Sequence, residues 1–153
     1  MTDGDRNNDA EVLQELVGDW EMEVDAPWTE GPTRGGTVSF EWMPGERFLI
    51  QRWEVPVPEA PDGLAVIGWD EGRGALLQHY FDSRGVARVY EMKLDDGVWT
   101  LERTREDLSP LEFAQRYEGR LSDDGSRIDG AWEIAHDKTT YEKDFDLSYI
   151  KKG

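Results

Sequence analysis

The chain has 153 residues, enough for one domain, and a domain of this size buries about 68–70% of the surface its unfolded form exposes. It has no cysteine, which excludes a disulfide framework, thiolate metal sites and a thiol nucleophile. Against 17 basic residues stand 34 acidic ones, a formal charge of −17 whose field repels nucleic acid and anionic membrane surfaces.

The chain begins with polar, mixed-charge residues, and positions 1–8 read as a disordered tail ahead of a single domain over 9–153. No basic start leads into an apolar segment, and no run approaches the ~18 apolar residues of a membrane helix, so a soluble, cytoplasmic protein is expected. The acidic excess suits either a solubility device or a high-salt host. Asp9 to Val17 places Val12, Leu13, Leu16 and Val17 on one narrow face, a short helix capped by Asp9 and ended by Gly18.

From Gly18 onward the apolar period is two, and turn signals recur at the spacing of a sandwich or barrel. The run Gly18 to Asp25 alternates Trp20, Met22 and Val24 with acidic residues. A Pro/Gly-rich loop over 27–36 precedes Thr37–Met43, and Pro44-Gly45 turns the chain into Arg47–Val55. Pro56, Pro58 and Pro61 mark a longer loop. Five more runs follow, Leu64–Trp69, Ala75–Phe81, Val86–Leu94, Val98–Thr104 and Glu112–Leu121; Asp95-Asp96-Gly97 is a strong hairpin signal before Val98–Thr104. Arg127–His136 and Tyr141–Ile150 complete the set. No connection is long enough for a crossover helix, so the expected fold is all-β, a ten-stranded antiparallel up-and-down barrel with a short N-terminal helix.

Four stretches resemble a known architecture. Gly18-Asp19-Trp20 directly after a short helix is similar to the opening of the calycin barrels, the lipocalins and fatty-acid-binding proteins. Val66-Ile67-Gly68-Trp69-Asp70 with Gly74, His79-Tyr80-Phe81-Asp82-Ser83, and Trp132-Glu133 through Asp144 to Tyr149 resemble a family of uncharacterised bacterial lipocalin-like domains. The resemblance implies a structural role for Trp20, packed across the closed end of the barrel against a basic residue of the last strand, for which Lys143 is the candidate. The related nitrobindins are ten-stranded barrels that bind haem through a His near the C-terminus; here 141–153 holds no His.

Candidate site residues follow from which polar side chains fall in register with apolar ones. Phe48, Ile50 and Arg52 alternate together, as do Leu77, His79 and Phe81; Arg88 runs with Tyr90 and Met92, and Arg103 with Trp99 and Leu101. Later, Phe113, Gln115 and Tyr117 align, as do Ile128, Trp132, Ile134 and His136, and Tyr141, Lys143, Phe145, Leu147 and Tyr149. A barrel of eight or more strands can enclose a ligand. The leading reading is therefore a small-molecule binding protein with Arg52, His79, Arg88, Tyr117 and Tyr149 lining the cavity around a partly apolar, anionic molecule. Each Arg has a competing reading as a cross-strand partner of the abundant acids.

Two alternatives use the same barrel: an enzyme with His79 as acid or base, and a haem protein using His79 or His136. A third is an interaction module whose acidic outer face recognises a basic partner. No catalytic, phosphate-binding or calcium-loop motif is present, and no cofactor or metal is expected apart from the haem alternative. The expected partners are a small hydrophobic or amphipathic ligand and, as an open option, a second copy in a homodimer; nucleic acid and membrane are not expected.

Overall fold

The computed structural model describes residues 11–56 and 60–152. The expected Asp9 cap and the 1–8 tail lie outside them. Ten strands are present: β1 (Gly18–Asp25), β2 (Thr33–Trp42), β3 (Phe48–Glu54), β4 (Gly63–Asp70), β5 (Ala75–Asp82), β6 (Ala87–Asp95), β7 (Val98–Arg103), β8 (Ala114–Leu121), β9 (Arg127–Ala135) and β10 (Glu142–Lys151). Each pairs antiparallel with its sequence neighbours, and β1 pairs with β10 from Trp20↔Lys151 to Asp25↔Asp146, which closes the barrel. Closure leaves no unpaired sheet edge.

Alternation explains most of the inward face. Trp20 and Met22 of β1, Val38 and Phe40 of β2, Trp99 and Leu101 of β7, Tyr117 of β8 and Ile128 of β9 are buried together in one core. The acids between them point outward into water. At the β6–β7 hairpin Asp96 and Gly97 both have positive φ, 52° and 75°, the requirement of a tight turn that follows the strand twist. β2 begins four residues earlier than the expected run, because Gly35 (φ 137°) bends the chain at a bulge and lets Arg34 and Thr33 pair with Glu23 and Val24.

One end is sealed. Residues 11–16 form a helical turn whose last part, Gln14–Leu16, is 3-10, and Leu13 and Leu16 are buried beneath the barrel floor. Trp20 Nε1 donates to the Leu16 carbonyl at 2.9 Å, and Trp42 Nε1 donates to Gln14 Oε1 at 2.8 Å. The last strand does supply a cation to Trp20, but it is Lys151, whose Nζ lies 5.2 Å from the indole centroid. Lys143 is exposed and paired with Asp146, because a register shift between Lys143 and Phe145 breaks the alternation of β10.

Candidate ligand cavity

The opposite end, where the β1–β2, β3–β4, β5–β6, β7–β8 and β9–β10 connections gather, leads into a cavity of ≈ 450 Å³. An arc of rings runs around its wall and floor. Trp53 stacks on Tyr80 at 5.3 Å, Tyr80 meets Tyr90 edge-on at 5.9 Å, and Tyr90 meets Trp132 at 5.5 Å. Tyr117, Trp99 and Tyr149 continue it at 5.4, 5.3 and 5.6 Å. Such edge and offset contacts hold the rings rigidly, so the space between them is preformed.

Within this arc sit a few polar groups. Arg88 Nη1 donates to Gln115 Oε1 at 3.3 Å and its guanidinium lies 5.4 Å from the Phe113 centroid. Tyr90 donates its hydroxyl to the same Gln115 oxygen at 2.9 Å. Among the described residues no carboxylate lies within ion-pairing distance of Arg88, although the chain carries 34 acids. Deeper in, Gln78 Nε2 donates to Gln51 Oε1 at 2.8 Å. Tyr149 lines the cavity, and burial pushes its phenol up, so it is a neutral hydroxyl at any physiological pH. Asp144 also lines the cavity; burial raises its carboxyl, with His136 opposing and Glu142 adding to the rise.

The mouth is braced by two ion pairs. Tyr80 Oη and Arg84 Nη2 both donate to Asp82 Oδ2, each at 2.6 Å; burial works against that carboxylate, but Arg84, Tyr80 and the Arg84 N–H together hold it below its ordinary range. The β7–β8 connection is fastened by Arg103 and Asp107, side chains 2% and 4% exposed and joined at 2.9 Å. Asp107 also accepts from the Val89 N–H, and Ser109 Oγ donates to the Ala87 carbonyl, so the loop carrying Phe113 is pinned to β6.

Of the five expected ligand contacts, Arg88 and Tyr149 line the cavity. Tyr117 faces inward but is spent on structure, donating at 3.0 Å to the Leu147 carbonyl, while burial holds its phenol well above the usual range. Arg52 lies outside, ion-paired with Glu41 across β2–β3. His79 also points outward and is exposed. Both were misplaced by one residue: β3 turns Leu49, Gln51 and Trp53 inward, and β5 turns Leu76, Gln78 and Tyr80 inward. Both faces of these strands carry apolar side chains, so period two does not decide which is inside. Gly68 on the outer face helps decide it: a Cβ there would stand 2.3 Å from the Phe48 ring, so that ring occupies the space outside the sheet. Arg103 is taken up by an acid, as in its competing reading, but the partner is Asp107 of the adjoining β7–β8 connection and not a residue across the strands.

With His79 outside and His136 exposed beside Glu142, neither imidazole lines the cavity, and a haem held by histidine does not fit these walls. The acid-base role for His79 loses its access to an enclosed substrate for the same reason. Among the described residues no group of three or more His, Asp or Glu is arranged to hold a metal. Sequence reading missed Gln51, Gln78, Trp53 and Tyr80; the alternation Leu49-Gln51-Trp53 was the available signal. An open depression of ≈ 340 Å³ beside the 122–126 turn offers little, since Asp124 there is already held by Ser122 and Ser126, which lower its carboxyl to about 2.

No protein-family model matches the chain, and no curated protein matches it. Among solved structures it is similar to the crystal structure of Rv2717c from M. tuberculosis, with a TM-score of 0.57 over 93% of this chain and 98% of that one at 16% identity. The likeness is one of fold, and the closed ten-stranded barrel fits the calycin-like class. Among the described residues no helix is long and apolar enough to cross a membrane.

Proposed function

We propose that this barrel is a binding protein for a small amphipathic molecule, with an aromatic or otherwise apolar body held by the ring arc and an anionic group held by Arg88. The carrying observation is Arg88 itself: an inward guanidinium at the cavity wall, supported by Gln115 and Phe113, and without a carboxylate partner among the described residues of an acid-rich chain. A half-buried guanidinium facing an aromatic wall gains a charge-assisted, bidentate contact when an anion meets it. The overall charge of −17 opposes an anionic ligand at long range, but at ~0.15 M salt that field decays over about 8 Å, so contact with Arg88 decides the bound state.

Titration with 8-anilinonaphthalene-1-sulfonate, an amphipathic anion, tests the proposal through its own emission and the quenching of cavity tryptophans. A hydrogen bond to a charged partner is worth about 1.5–3 kcal/mol, so Arg88→Met is expected to weaken binding about 10- to 100-fold. Arg52→Met, outside the barrel, is expected to leave it unchanged. Absence of saturable binding, or equal affinity for wild type and Arg88→Met, would overturn the reading.

A further inference from the structure

Gln51 and Gln78 are 6% and 3% exposed, yet each spends only part of its hydrogen-bonding capacity. They stand on β3 and β5, two strands apart, and meet diagonally across β4, where Ala65 is opposite Gln51 and Ile67 is opposite Gln78. One N–H and one carbonyl are used in their mutual bond, which leaves a carbonyl on one carboxamide and an NH2 on the other. Exchanging the oxygen and nitrogen of both amides gives the same remainder. Among the described residues the sealed, partnerless side-chain nitrogens and oxygens are the indole nitrogens of Trp69 and Trp99, so the unused carboxamide atoms open onto the cavity that Gln51 and Gln78 line. Left unmet in an aromatic wall, each would cost about 1–3 kcal/mol.

We propose that the crossed carboxamides are a subsite for a planar amide edge, and that the cavity ligand is an aromatic lactam or related nitrogen heterocycle bearing a carboxylate for Arg88. The inference rests on the binding function proposed above. A lactam presents one N–H and one C=O side by side, the complement of what the pair leaves free. The neighbouring inward residues on the same strands, Trp53 and Tyr80, are stacked at 5.3 Å, a wall suited to a flat ring. Tyr80 pairs with Arg88, and Gln78 lies two residues along β5, so by strand spacing and rise the two anchoring backbones are about 8 Å apart. A fused bicyclic lactam carboxylate spans that separation.

The test compares 2-oxo-1H-quinoline-4-carboxylate with its N-methyl derivative and with 1-naphthoate, each titrated by tryptophan quenching. The lactam is expected to bind wild type at least about tenfold more tightly than either comparison, because a site with buried polar groups rejects a ligand that leaves them unpaired. In Gln51→Leu/Gln78→Leu that preference is expected to vanish while 1-naphthoate still binds. Equal affinities for lactam and naphthoate in the wild type would overturn the subsite and leave the cavity reading standing. If neither these carboxylates nor the sulfonate probe binds, both fall.

Discussion

Replacing Arg103 by Met should unfasten the wall of the cavity and destabilise the barrel by about 3 kcal/mol. The guanidinium makes two hydrogen bonds to Asp107, at 2.9 and 3.0 Å, and three more to Ser109 and Pro110. Removing one partner of a buried pair costs about 3–5 kcal/mol; Asp107 sits on a loop that can turn toward water, which places the cost at the low end. For a chain of this size that is a fall in Tm of about 6–12 °C, read by tryptophan fluorescence on heating. The effect has a pH signature. Burial opposes ionisation of Asp107, but Arg103 and the Val89 and Ser109 N–H groups outweigh it and hold the carboxyl below its ordinary value. A group with a lowered folded pKa stabilises above its unfolded value, ~3.9, and that contribution is lost as pH falls through the folded value. The gap between wild type and Arg103→Met is therefore full at neutral pH and closes in acid below about pH 4. Asp107→Asn combined with Arg103→Met should cost little more than either alone, a coupling of about 2 kcal/mol. A Tm unchanged by Arg103→Met, or strictly additive costs, would refute the reasoning.

Other outcomes follow from the same geometry. Gly130→Ala would set a Cβ 2.3 Å from Tyr117 Oη and 2.7 Å from the Glu118 carbonyl oxygen, and is expected to cost about 3 kcal/mol by urea unfolding. His79→Ala is expected to leave sulfonate-probe affinity unchanged, because the imidazole is on the outer face; a fivefold loss would place it in the cavity after all. Arg52→Ala breaks a half-exposed ion pair with Glu41 and should change stability by less than about 1 kcal/mol. Burial raises the phenols of Tyr90, Tyr117 and Tyr149, and burial with Asp82 raises Tyr80. In an ultraviolet titration these four should ionise only above the ordinary phenol range, and the stability of the neutral forms should be lost as pH climbs through it.

What the sequence determined by itself was the architecture. Alternation, turn chemistry and the absence of any crossover-length connection are local, and local signals suffice for ten antiparallel neighbours and for the inward faces of β1, β6, β7 and β9, where one face is apolar and the other charged. Arg88 was legible as a cavity residue for that reason. Tertiary structure alone decided the side on which Arg52 and His79 lie. On β3 and β5 both faces are apolar, and a slip of one residue moves every side chain through the sheet at no cost that a single strand can register. The choice belongs to contacts between strands, such as Phe48 over Gly68 outside and Gln51 reaching Gln78 across β4 inside. The same holds for the Lys151 contact with Trp20, since the bulge that turns Lys143 away depends on how β10 must bend to close the barrel.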